Sequence, residues 1–178
     1  MTRGSRAWWR AWWTIVVTAA IPACSGPTAP STQSFSGHWV GTYLVRQCTP
    51  TGWPSCEGVL ELENHTYPVD LMLTQTGSSV SGTAQITESA VWAMAVSGSA
   101  SQNTLTIAGS ATEPLNRVST DVVRITRWLT TRADDGTMRG TFSFHRETLW
   151  GPANMQHPVG ELWTLGYEAE LLNVARRP

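Results

Sequence analysis

The 178-residue sequence has no lysine: all 12 basic residues are arginine. Three of them, Arg3, Arg6 and Arg10, precede position 24, and the rest of the chain sets nine arginines against 13 acidic residues, a net charge of −4. That balance leaves no basic face for nucleic-acid phosphates. The arginine-only usage reads as genomic composition bias, not as an adaptation to phosphate. No G-x-S-x-G elbow, phosphate-binding glycine loop or H-E-x-x-H run occurs. The histidines His38, His65, His145 and His157 lack metal-ligand spacing. Glu61 with Glu63, and Glu168 with Glu170, pair on strand faces, but glycosidase chemistry needs a cleft between two carboxylates and one raised pKa. Solvated faces are the simpler reading, so no enzymatic activity, metal or cofactor is expected. Helical periodicity is missing too, since no run of ten or more residues keeps it.

What is present begins with an export signal. A basic stretch, Met1 to Arg10, leads into an apolar stretch, Ala11 to Ile21, and then to small residues ending at Cys24. This is the layout of a secretory signal peptide, and its apolar stretch is shorter than the roughly 20 residues of a permanent membrane span. Ile21-Pro22-Ala23-Cys24 resembles the bacterial lipobox, which implies removal of residues 1–23 and lipidation of Cys24. The alternative is ordinary cleavage near Ala23 with Cys24 left as a free thiol, an awkward outcome in an oxidising compartment. Residues 24–34 then form a polar, proline-containing tether with almost nothing to bury. Ser25, after the cysteine, matches the outer-membrane sorting pattern of enteric bacteria. The expected location is the cell envelope, lipid-anchored, at the outer membrane facing the periplasm or cell surface if the host is Gram-negative.

Setting Cys24 aside leaves Cys48 and Cys56, an even pair in an exported chain. The intervening segment contains two prolines and a glycine, as a loop would. No second cysteine pair or spaced histidine completes a metal site, and no C-x-x-C spacing marks a redox centre. A structural disulfide is expected.

The remainder, residues 35–178, reads as one all-β domain. Trp39, Gly41, Tyr43 and Val45 alternate with His38, Val40, Thr42 and Leu44, which is the period of a half-buried strand. An apolar run at Val59 to Leu62 follows, then a hairpin over Val69 to Ile86 broken at Gly77-Ser78. Val91 to Val96 and Thr104 to Ala108 flank a turn at Ser99 to Asn103. Val118 to Thr130 and Met138 to His145 flank the turn signal Asp134-Asp135-Gly136. A long loop is expected over 146–159, and Gly160 to Leu172 is the last strand. The count is eight strands in sequential hairpins. Closing such a meander removes its two exposed edges, so an antiparallel up-and-down β-barrel is expected, with a β-sandwich as the alternative. Arginines and acids within the candidate strands exclude an outer-membrane barrel. Val80-Ser81-Gly82, Val96-Ser97-Gly98 and Met138-Arg139-Gly140 echo one another, each placing a glycine where a coiling sheet is crowded.

Gly37-His38-Trp39 at the head of the first strand resembles the G-x-W signature of the lipocalins and avidin-type barrels, the calycins. The resemblance implies an eight-stranded barrel whose tryptophan plugs the closed end while a small, usually apolar ligand enters the other. It also implies a basic residue over the tryptophan, a place for Arg176 or Arg177. Trp39, Tyr43, Trp92, Trp128, Phe142 and Trp163 fall on expected strands as the candidate ligand-lining set, with Phe144 beside them. The same rings can instead fill the barrel as plain core. Arg124 or Arg127, facing a cavity, would select an acidic head group. Two functions stand open: a binding barrel for a small apolar molecule, and a non-enzymatic interaction module or inhibitor gripping an envelope or secreted protein. For the second, Trp53 in the disulfide loop and Trp150 in the long loop are the expected contacts. In either case the chain is expected to act as a monomer held to the membrane through Cys24.

Overall fold

A computed structural model describes residues 34–51, 56, 62–88, 90–114, 119–151 and 162–178. Cys24, the signal peptide, almost all of the tether, Trp53, the run at 59–61 and His157 lie outside the described residues. Eight strands follow in chain order: β1 (Gly37–Thr51), β2 (Thr66–Thr76), β3 (Ser79–Thr87), β4 (Val91–Ser101), β5 (Thr104–Pro114), β6 (Ser119–Arg132), β7 (Met138–Trp150) and β8 (Leu162–Arg176). Each pairs antiparallel with its successor, and β8 pairs with β1 to close the barrel. Closure gives every strand two neighbours and excludes the sandwich.

Period-two alternation forms these strands. In β2, Val69, Leu71 and Leu73 are buried while Met72 and Thr74 face out. In β6, Asp121, Val123 and Ile125 share the inner face. The strands run further than the apolar pattern: β4 continues past Val96 to Ser101, and β7 past His145 to Trp150. The turn expected over Ser99 to Asn103 narrows to Gln102-Asn103, with Gln102 at φ 53°. Small and polar residues carry little hydrophobic signal, yet in a closed sheet their backbone groups find partners on both sides. At Gly82 and Gly98 the sheets approach so closely that a Cβ would strike the carbonyl oxygens of Met72 and Thr106 respectively. These are two of the three echoed glycines, and the crowding explains why no side chain is tolerated there.

A bulge in the β6–β7 ladder between Ile125 and Arg127 resets the inside–outside phase. Thr126 and Arg127 are consequently both exposed, and Trp128 returns to the interior. Arg124 also lies outward, 2.7 Å from Glu147 on β7. Neither Arg124 nor Arg127 faces the interior, so neither is placed to select an acidic head group there. The outer wall carries further ion pairs, His38 with Asp70 at 2.7 Å and Arg46 with Glu170, and so presents no continuous lipid-facing band. Cys48 and Cys56 form the expected disulfide, their Cα atoms 6.0 Å apart.

Candidate functional site

The barrel interior divides into three layers. At the end where the chain enters, Phe35 and Trp39 are fully buried. The Trp39 indole donates to the Phe35 carbonyl at 2.8 Å, and the Phe35 N–H donates to Gln75 Oε1 at 2.8 Å. Arg132, at the end of β6, lies with its guanidinium 5.4 Å from the Trp39 ring centroid and donates to the Ser34 carbonyl at 3.0 Å. The basic residue over the tryptophan is therefore Arg132, not Arg176 or Arg177. Arg176 instead packs over Gly37, and the Arg177 N–H bonds the His38 carbonyl. Sequence inspection missed Arg132 because the hairpin that brings it to Trp39 joins positions far apart in the chain.

The middle layer is a stack of rings. Trp128 lies on Phe142 at 4.8 Å between centroids, Tyr43 meets Phe142 edge-on at 5.0 Å, and Phe144 stacks on Tyr167 at 4.9 Å. The Tyr43 hydroxyl donates to the Thr87 carbonyl at 2.8 Å and contacts the Tyr167 hydroxyl at 3.2 Å. Burial pushes both phenols far above their ordinary pKa, so they stay protonated. Four of the six expected ligand-lining residues, Trp39, Tyr43, Trp128 and Phe142, thus pack on other protein groups as core.

The third layer, at the disulfide end, is polar and buried. Asp121 on β6 is 0% exposed and Arg146 on β7 is 5% exposed, and the two pair at 2.7 Å. The Arg146 guanidinium lies 4.8 Å from the Trp92 ring centroid, and the Trp92 indole donates to Glu88 Oε1 at 2.9 Å. Desolvation pushes the Glu88 carboxyl up to about 7, against the opposing pull of Arg146 and the Trp92 bond and with the help of the Asp121 charge. Ser119 and Thr148 complete the layer, both buried. Four side-chain oxygens here, Glu88 Oε2, Asp121 Oδ1, Ser119 Oγ and Thr148 Oγ1, are out of solvent with no hydrogen-bond partner among the described residues. Buried polar atoms almost always find partners, and leaving one without costs about 1–3 kcal/mol.

Trp163, the sixth expected lining residue, sits beside this layer. It pairs with Thr148 across the β7–β8 ladder, and its ring meets Trp150 edge-on at 5.5 Å. Trp150 is the last residue of β7 and half-buried, not the exposed tryptophan of a long loop. That correction follows from β7 extending five residues beyond His145. Trp92 is likewise a lining residue, but of a polar layer. Glu88, Asp121, Arg146, Ser119 and Thr148 were not singled out from sequence. A signal existed for two of them: Asp121 is in phase with Val123 and Ile125, and Arg146 with Phe142 and Phe144, which placed a charge of each sign inside.

Among the described residues no group of three or more histidine, cysteine, aspartate or glutamate side chains is placed to hold a metal. The layer therefore offers acceptor oxygens, one guanidinium and aromatic walls, a set suited to recognition. Comparison of the chain with protein-family models, with curated proteins and with solved structures found no match.

Proposed function

We propose that the protein is an exported, lipid-anchored barrel of the cell envelope, of lipocalin-like type, that holds a small ligand at the disulfide end. The observation that carries the reading is the buried polar layer, in which Glu88 Oε2, Asp121 Oδ1, Ser119 Oγ and Thr148 Oγ1 have no hydrogen-bond partner among the described residues. Such atoms call for an explanation, and a bound molecule that completes them supplies one. The lipocalin-like assignment draws support from Trp39 sealing one end beneath an arginine, and the envelope assignment from the lipobox-like Ile21-Pro22-Ala23-Cys24. Because Ser34 to Ser36 enter at the Trp39 end, the polar layer is at the opposite end of the barrel from the point where the tether joins it.

Native mass spectrometry of the protein extracted from its host tests both halves together. The expected spectrum shows an N-terminal Cys24 carrying a diacylglycerol and a co-purifying small molecule. An unprocessed N-terminus would refute the anchor, and a ligand-free spectrum from freshly extracted protein would refute the binding role.

A second reading, an interaction module with a solid core, is favoured by the filled middle layer and by an exposed apolar pair at the same rim. Leu149 and Leu162 face each other across β7 and β8 with 51% and 52% of their surfaces exposed. Leu149→Arg with Leu162→Arg would abolish capture of a partner while leaving ligand uptake unchanged. Unchanged capture would remove this reading.

A further inference from the structure

Resting on the reading of the polar layer as a ligand site, we infer that its ligand is a small organic cation, an ammonium or guanidinium on a short apolar body. Among the described residues, the layer's side-chain oxygens without a hydrogen-bond partner include Glu88 Oε2 and Asp121 Oδ1, which belong to carboxyl groups, and the hydroxyls Ser119 Oγ and Thr148 Oγ1. Ionised carboxylates accept hydrogen bonds and cannot donate them. The carboxylate oxygens call for a donor, and the hydroxyls can accept from it or donate in turn. Charge points the same way. Arg146 is already matched by Asp121 at 2.7 Å, so an ionised Glu88 leaves the layer with one uncompensated negative charge in a dry environment, where charge is costly. A cation removes that cost and an anion adds to it.

The walls suit the same guest. Thr148 is paired with Trp163, and Ser119 with Trp150, across the ladders, so the two hydroxyls sit beside two indoles. Aromatic faces attract cations, most strongly when both are shielded from water. Below, the Trp128, Phe142 and Tyr43 stack closes the floor, which limits the guest to a small head group with a short body. Arg146 occupies the Trp92 ring and neighbours Glu88 as a fixed positive charge. It bars a second cation and confines the head group to the side of Glu88 Oε2. The groups facing Glu88 are Arg146 from β7, Asp121 from β6, Tyr43 from β1 and Tyr167 from β8. Both tyrosines are neutral, so the charge of Glu88 alone sets how strongly a cation is held as pH changes.

The test titrates the full-length protein in detergent with four probes: n-hexylammonium, n-hexanoate, n-hexanol and calcium chloride. Melting temperature and tryptophan emission are read at about pH 8 and about pH 6, on either side of the Glu88 transition. Hexylammonium is expected to raise the melting temperature saturably and to shift the emission, with affinity falling about tenfold or more in Asp121→Asn and in Glu88→Gln. It should bind more weakly at the lower pH in the wild type, and with little pH dependence in Glu88→Gln. Thr148→Val, which removes one hydroxyl and no charge, serves as a variant that keeps the fold and weakens binding modestly. Hexanoate or hexanol binding as tightly as hexylammonium would overturn the cation while leaving a ligand site. Calcium binding in its place would assign the layer to an inorganic ion. Silence from all four probes, with the variants folded, would overturn both the cation and the ligand reading.

Discussion

The two ends of the barrel solve the same problem, how to finish a closed sheet, in opposite ways. At the Trp39 end the chain itself closes the interior: Phe35 and Trp39 are fully buried, the indole and the Phe35 N–H have protein partners, and Arg132 donates to the Ser34 carbonyl through Nη1, its Nε being left without a hydrogen-bond partner among the described residues. At the disulfide end the interior holds an ion pair and four oxygens without hydrogen bonds. The first arrangement is what stability alone favours, since apolar burial is the main driving force of folding. The second is costly for folding. The fold thus buries charge at one end and seals the other with aromatics.

Four perturbations break or sharpen that contrast. The largest effect is expected from Trp39→Ala, which empties the sealed end and should lower unfolding free energy by about 3–5 kcal/mol in denaturant titrations. No partner substitution nearby would restore it. Arg146→Met should cost a comparable ~3–5 kcal/mol, because Asp121 is then left charged and alone in the interior. Here, however, the double variant Asp121→Leu with Arg146→Met should return to within about 1 kcal/mol of wild type while losing ligand uptake, since an apolar pair of similar volume replaces an ion pair at little net cost. Failure of the double variant to recover would place the ion pair among the stabilising elements and erase the contrast.

Replacing Cys48 and Cys56 by serine should cost about 2–3 kcal/mol, the loop-closure value for so short a ring. The loss is expected without any change in the emission of Trp39 or Trp128, which lie in layers nearer the other end. The smallest effect concerns pH. Folded, Glu88 holds its proton up to about 7, whereas the unfolded chain releases it near the ordinary value of 4.5. Between those values the folded state binds more protons, so its stability falls as pH rises. The contribution of Glu88 is fully present below the lower value and lost above the upper one. Because the residue keeps some contact with water, the change should be on the order of 2 kcal/mol or less. Wild-type protein should therefore lose stability relative to Glu88→Gln across this window, as read by urea midpoints at successive pH values. Parallel curves for the two proteins would show that Glu88 is not held in its neutral form.

Much of the barrel was legible in the chain. Trp39, Tyr43 and Val45, or Val69, Leu71 and Leu73, announce their strands because one face of each must leave water while the other stays in it. The turns at Gly77-Ser78 and Asp134-Asp135-Gly136 are equally direct, as Gly77 and Gly136 adopt positive φ, at 61° and 81°, where glycine is favoured. The disulfide followed from counting, since Cys48 and Cys56 form an even pair once Cys24 is set aside. Strand ends were less legible. Ser97 to Ser101 and Arg146 to Trp150 lack an apolar alternation, and they are extended because neighbouring strands complete their hydrogen bonds.

The candidate site was the least legible part. Arg124 and Arg127 drew attention as strand arginines, yet Arg124 faces outward in alternation with Val123 and Ile125, and the bulge after Ile125 turns Arg127 outward as well. Arg146 and Asp121, by contrast, are inside because their strands carry them in phase with the aromatic core.

Local composition and periodicity determined the all-β class, the closed meander and the cysteine pair, since each depends on residues near one another or on a simple count. Which arginine covers Trp39, which face Arg124 takes, and which oxygens are left dry were decided only by closure of the sheet. Closure brings β1, β4, β6, β7 and β8 around one interior, and burial there is a property of all of them together.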